Sequence, residues 1–412
     1  MHFLTRMIRH LAYFEELAAL DEREDSWREI SAGLVVLRLV DSWFEQGASV
    51  VTPGAWNLGA VINAVAEIPN GRSARGMLKS VVDAMIDART PAAHVVAPRL
   101  MAYARSLDFD ARWNLAIDVY RAVISHSEPL DDADTVIAAH LRLGFCLRQV
   151  GEISESAAAY GIASQLAERV GDMMGVLRAR IGDAKIALLR GNIPRAESIL
   201  DATIDDAERH GFSGVHSMAL HDRANAAYMR GDFELAVRLS YQALDGTETD
   251  RNRDRILHDI AASFNRLGVR SAARDAYMVI VTTSQEQYLR WAATIQLLAI
   301  AADDGMSPVF ERYRRELNDV ALPPALSADF QMQVGRGYRI FGQPDAARTW
   351  LTAAIATAQQ HGFNQFLFES EAELLELERP VSRRIIPETT PSLAISEVAA
   401  AIREMREAVG AT

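Results

Sequence analysis

A single spacing constrains this chain more than anything in its composition. Gly151, Gly191 and Gly231 fall 40 residues apart, and two further steps back reach Ala111 and then Gly71. Forward, the step shortens to 37 and passes Gly268, Gly305 and Gly342, so that eight copies share one register. Five residues after each marker stand Gly76, Ala116, Ser156, Ala196, Ala236, Ala273, Phe310 and Ala347; seven before it stand Ala64, Ala104, Gly144, Ala184, Ala224, Ala261, Leu298 and Gly335. All are small except Phe310 and Leu298, both in the copy marked by Gly305. Two small positions flanking a glycine turn describe two antiparallel helices that pack closest where those residues meet. One such hairpin cannot bury its apolar face alone, so successive hairpins must stack into a continuous array.

Composition agrees with an all-helical chain. Alternating β-branched runs bounded by turn residues are hard to find, aromatics make up only 7%, and 49% hydrophobic content over 412 residues suffices for a large core. A formal net charge of −12 lacks the positive excess that phosphate neutralisation needs, which argues against a nucleic-acid partner. The single cysteine, Cys146, excludes an intrachain disulfide and a multi-cysteine zinc site. The opening "MHFLTRMIRHLAYFEEL" is interrupted by Arg6, Arg9 and His10 before an apolar core of signal-peptide length forms, and no later run reaches the length of a membrane span. The expectation is a cytoplasmic protein with no membrane insertion.

The most regular copy reads "LRLGFCLRQVGEISESAAAYGIASQLA". Its Leu143-Gly144, Leu147, Ser156, Tyr160 and Ala163 fall where tetratricopeptide repeats place their Leu-Gly, first-helix aromatic, small, aromatic and small positions; Tyr120 and Tyr277 repeat the second aromatic. On these residues the chain resembles the tetratricopeptide repeat family over positions 57–378. It departs in lacking the family's early Trp and terminal Pro in that copy, and in periods of 40 and 37 where the family uses about 34. The resemblance implies an all-α, right-handed superhelical solenoid of antiparallel helix hairpins. Long-period arrays of this kind are similar to the sensory and scaffolding branches of the family, which include receptors for peptide signals and domains of large transcription regulators. Residues 1–52 read as N-terminal capping helices, 53–378 as the repeat array entered at Pro53-Gly54, and 379–412 as a proline-containing linker with a C-terminal amphipathic helix, "LAISEVAAAIREMREAV". The favoured expectation is that this helix completes a ninth hairpin with "FLFESEAELLELE", which keeps the register at Ala372; docking elsewhere is the alternative.

Candidate chemistry reduces to architecture at each point. "HDRANAAYMRGD" and "HDIAASFNRLGV" put His221-Asp222 and His258-Asp259 in equivalent places of neighbouring copies. Adjacent helical residues diverge by about 100°, so Asp222 does not orient His221 as a triad acid would. His210, His216 and His221 lack the i, i+4 spacing of helical zinc ligands, so no metal is expected. "GRGYRIFG" follows no strand, and its Gly335 and Gly342 are repeat positions, which removes a nucleotide-loop reading. Cys146, six residues from His140 in the most regular copy, reads as a buried structural thiol. With no metalloprotease, phosphate-loop or nucleophile-elbow pattern, neither a catalytic residue nor a cofactor is expected.

What remains is the face that the family resemblance turns towards the groove. Carried copy by copy, it comprises Arg142 and Arg148, Arg178 and Lys185, His221 and Asn225, His258 and Asn265, and Arg336 and Arg339. Such a stripe would attract a protein or peptide segment bearing acidic or carboxylate groups, with the two asparagines bonding an extended backbone. Ordinary solvated charge is the competing reading. The expected function is a non-catalytic scaffold or adaptor holding a partner's peptide segment or helix. The alternative is an intracellular receptor in which a small peptide or metabolite binds the same groove and controls a partner. The oligomeric state is not legible.

Overall fold

The marker glycines from Gly151 to Gly342 all take the left-handed backbone conformation, with φ between 71° and 85°. Ala111 joins them at φ 59°, which costs a residue with a Cβ about 1 kcal/mol. In every copy from Ala111 onwards the residue after the marker donates its N–H back across the turn at 2.8–3.0 Å, from Arg112 to the Leu107 carbonyl through to Gln343 and Tyr338. This bond satisfies a carbonyl left open at the helix end and fixes the direction in which the next helix departs.

The structure, a computed structural model, describes residues 9–52, 56–88, 90–247, 249–377 and 389–410. Pro53-Gly54 and most of the proline-containing linker, residues 379–388, therefore lie outside the described residues. Residues 1–210 form one unit. In it α1 (Leu11–Ala19) and α2 (Asp25–Gln46) precede a short 3-10 turn (Gly47–Val51) and four hairpins. These are α3 (Trp56–Glu67) with α4 (Ser73–Ala88), α5 (Ala93–Phe109) with α6 (Trp113–His126), α7 (Ala133–Gln149) with α8 (Ile153–Val170), and α9 (Met173–Leu189) with α10 (Ile193–Arg209). Residues 211–412 form a second unit. It holds α11 (Ser213–Arg230) with α12 (Phe233–Leu244), α13 (Asp250–Leu267) with α14 (Arg270–Thr283), α15 (Gln287–Asp303) with α16 (Ser307–Asn318), and α17 (Pro324–Ile340) with α18 (Pro344–His361). Then come α19 (Asn364–Glu376) and α20 (Leu393–Ala408). Each unit is an all-α stack of hairpins, with no strand among the described residues. No helix among them is long and apolar enough to cross a membrane.

The small positions are where neighbouring helices touch. The Tyr160 ring of α8 lies against both Gly144 of α7 and Gly182 of α9, leaving no room for a methyl group at either. Ser156 adds a bond from its hydroxyl to the Gly144 carbonyl at 2.7 Å. Leu351 fills the corresponding space at Gly335. The exceptional copy is compensated by its neighbour. Phe310 of α16 is fully buried, its ring occupying the space over Gly337 of α17 and meeting Tyr338 and Phe341 edge-on. Both glycines of the "GRGYRIFG" run that lie on α17 are thus packing positions.

The C-terminal helix departs from the favoured expectation. Instead of completing a ninth hairpin, α20 returns to pack on α12 and α14. Ile395, Val398 and Ile402 form its buried stripe, and Arg406 reaches Asp275 at 3.0 Å, a carboxylate only 3% exposed. A buried carboxylate needs a cationic partner, and α20 supplies one that α19 cannot, since its charged residues are all acidic.

Candidate functional site

In the first unit, the residues expected on the groove lie on α7 and α9. Arg142 is already engaged: its Nε lies 3.0 Å from Asp108 Oδ2, the same oxygen that accepts the Tyr120 hydroxyl at 2.7 Å. Its guanidinium also stands 4.6 Å from the centre of the Phe145 ring. Arg148 flanks the same ring at 5.3 Å and bonds Tyr160, whose hydroxyl burial pushes above its ordinary pKa while Arg148 opposes the shift. Arg178 is exposed and Lys185 half-buried. Cys146 is enclosed beside them, burial and then the Asp108 charge pushing its thiol up to about 12, which leaves it inert as a nucleophile near neutral pH.

In the second unit the structure brings both His-Asp echoes to one point. His221 Nε2, on α11, lies 2.7 Å from Oδ2 of Asp259 on α13, the next first helix, while Asp222 is buried. His258 approaches the other oxygen, Oδ1, at 3.6 Å and sets its ring edge-on to Tyr277. Burial alone would push Asp259 up, but the two histidine bonds outweigh it and hold the carboxylate well below its ordinary range. Asp259 nevertheless keeps 38% of its side chain exposed, because it stands on the wall of a cavity of about 200 Å³. Asn225, Tyr228, Ser240 and Ser263 line that cavity with it. Asn265, at the end of α13, gives its carbonyl to the turn at Gly268 (3.1 Å) and leaves its side chain half-buried.

Further along, Arg336 is 2.8 Å from Asp303 and Arg339 is 2.6 Å from Glu373, so α15, α17 and α19 are tied by charge. Asp329 of α17 accepts bonds from the Gln333 and Gln296 amides at 3.1 and 3.3 Å. Burial, reinforced by Glu369, still pushes it up to about 6. Sequence reasoning missed Asp259 and Asp329. A legible signal existed for the first: an acid one position beyond the repeat of His221 can meet it across neighbouring first helices. For Asp329, whose environment is assembled from α15, α17 and α19, no periodic signal existed. The three histidines weighed as zinc ligands have other partners where bonds are resolved: His210 Nδ1 meets the Asp206 carbonyl at 2.8 Å, and His221 meets Asp259.

No protein-family model matches the chain, and no curated protein does. Solved structures share its fold. The Rap conjugation gene regulator of the plasmid pLS20, solved in complex with the Phr* peptide, superposes with a TM-score of 0.52 at 12% identity, over 82% of this chain and 98% of that one. The apo quorum sensor NprR from B. thuringiensis gives 0.49 at 11% identity, covering 84% and 92%. Apo RapI gives 0.48 at 10%, covering 84% and 98%. This chain has the helical-repeat fold of the pLS20 regulator.

Proposed function

We propose that this chain is a non-catalytic, peptide-binding regulator whose first-helix face captures a short segment and thereby controls or recruits a partner protein. One observation carries the reading: a cavity of about 200 Å³ between α11, α12 and α13 is walled by Asn225, Ser240, Asp259 and Ser263, which supply the amide, carboxylate and hydroxyl groups that bonding to a peptide backbone requires. The fold likeness to a gene regulator solved with a bound peptide supports it. Asn225 and Asn265 are the residues to bond peptide amides. For a carboxylate-bearing ligand, the exposed Arg178 of α9 is the first-unit group to receive it, with Lys185 two turns along the same helix. Arg142, Arg336 and Arg339 already hold carboxylates of this chain, so they preform the face more than they attract a guest. In the same proposal residues 53–378 carry recognition, 1–52 and 379–412 flank it, and the protein acts in the cytoplasm.

Two forms of the reading differ in the guest: a segment of a larger partner, held by a scaffold, or a free short peptide, sensed by a receptor. The test is an array of free synthetic peptides, one set of five to ten residues and one set of about twenty, probed with wild type, Asn225→Ala, and Arg178→Glu combined with Lys185→Glu. Peptides retained by wild type and weakened about tenfold, or 1.4 kcal/mol, by Asn225→Ala support the receptor form. Retention only of longer segments supports the scaffold. Equal retention by all three proteins overturns the site.

A further inference from the structure

Among the described residues, the last first-helix of the array is not covered by the second helix that its sequence calls for. In the earlier copies the small residue seven before the marker is covered by the second helix of its own hairpin: Ala104, Ala184, Ala224 and Ala261 are each no more than 2% exposed. Ala372 occupies that register on α19 and is exposed. Around it, Phe368 and Leu375 are both 65% exposed, and at i, i+4 and i+7 the three residues form one apolar stripe. The other side of α19 packs on α17 and α18. α20, the segment expected to cover the stripe, is seated on α12 and α14 through its own apolar face and Asp275. End repeats of a stacked array ordinarily turn a polar face outwards. This one does not.

We propose that the Phe368-Ala372-Leu375 face of α19 is a docking site for an amphipathic helix of another protein, one with an aliphatic stripe and basic edges, which completes the ninth hairpin in trans. Geometry sets the aliphatic part, because the register already places a small residue where a partner helix comes closest. Charge sets the rest. Glu371 borders the stripe on one edge, and Glu369, which accepts a bond from Gln365 at 3.0 Å, borders it on the other. A second copy of this chain would bring acidic edges against acidic edges, in molecules that each carry a net charge of −12. A helix with Arg or Lys at its edges turns the same charges into favourable pairs and discriminates among otherwise similar apolar helices.

The experiment uses the full chain and two fluorescent peptides of about 16 residues, long enough for four helical turns, sharing one leucine stripe and carrying either arginine or glutamate edges. Binding is followed by anisotropy to wild type and to Phe368→Glu combined with Leu375→Glu, both at exposed positions where folding is preserved, as checked by circular dichroism. The arginine-edged probe is expected to bind wild type at least about tenfold more tightly than the glutamate-edged probe, and to lose about tenfold on the double variant. The variant adds negative charge, so unspecific attraction of a basic peptide would strengthen; a loss reads out the apolar seat. Equal binding of the two probes, unchanged or tighter binding to the variant, or loss on Asp275→Asn instead (displacement of α20) each overturns the proposal. So does concentration-dependent self-association of wild type in sedimentation that the double variant abolishes, which would assign the face to a second copy.

Discussion

Asp41 in the first unit and Asp259 in the second are each flanked by two histidines, yet their surroundings give them different work. His10 and His126 meet Asp41 at 3.1 and 2.7 Å, and the three side chains are 5%, 11% and 12% exposed. That cluster is a clasp whose three side chains are nearly enclosed, although His10 and Asp41 also edge a surface cavity of about 280 Å³ with Arg9, Arg38 and Glu45. It fastens the start of α1 to α2 and α6, helped by the Ala12 amide donating to Asp118 at 3.3 Å and by the Tyr13 hydroxyl donating to Tyr103. Around Asp259 the corresponding exposures are 21%, 28% and 38%, and a cavity opens beside it. Residue type is the same in both. Exposure separates them: one carboxylate is nearly enclosed among its histidines, and the other keeps more than a third of its side chain in solvent.

The clasp should therefore break hardest. Asp41→Ala strands two enclosed histidines and detaches α1, a loss of about 3 kcal/mol in urea unfolding. Because the two histidine bonds override burial and depress Asp41 below its ordinary 3.8, its contribution is complete above that value and disappears as pH falls through the lower folded value. The variant should lack that acid-side slope. Arg142→Ala comes next. Asp108, 6% exposed, would keep only the Tyr120 bond, and about 2 kcal/mol should be lost. Adding Asp108→Ala should recover part of it, since the buried charge then goes too. If both variants melted like wild type, enclosure would not be what separates structural from available groups.

How much of this was readable follows the same division. The hairpins, their turns and their contact points were legible because each is written several times: a glycine with positive φ, a small residue before it and one after it. Gly182 and Gly337 were not, because each makes room for a ring from another helix, Tyr160 or Phe310, and that demand is not periodic. Among the groove candidates the charges were legible and their partners were not. Arg142, Arg336 and Arg339 were counted as unspent positive charge, whereas each meets an acid 33 or 34 residues away on the next first helix. That offset falls three to six residues short of the local repeat and could have been searched for. The seat of α20 could not, since its Asp275 lies more than a hundred residues earlier, with a separation of 131 from Arg406.

A smaller effect of opposite sign is expected at Asp329. Burial raises it to about 6 from an ordinary 3.8, so folding favours its protonated form, and stability falls as pH rises through that interval. Asp329→Asn removes the falling slope and should stabilise the protein at pH 7.5 by on the order of 1 kcal/mol, after allowance for the solvent that reaches a half-buried side chain. Thermal melts at pH 5 and pH 7.5 check it. The variant should gain on wild type only at the higher pH, the reverse of the behaviour at Asp41, and a gain at both would point to packing instead of charge.

The smallest effect on stability belongs to Asp259→Asn, and it is the most informative. The substitution keeps the shape and one acceptor oxygen facing His221 while removing the charge. Because Asp259 is more than a third exposed, solvent screens the loss and unfolding should shift by less than about 0.5 kcal/mol. Binding should respond differently, since a guest in the cavity displaces that solvent and meets the carboxylate in a less screened setting. A peptide selected on wild type should therefore weaken about tenfold, with no change in the urea midpoint. Should the midpoint move as far as it does for Asp41→Ala while binding stays level, the second cluster would be another clasp, and the peptide site would have to be sought on α9 instead.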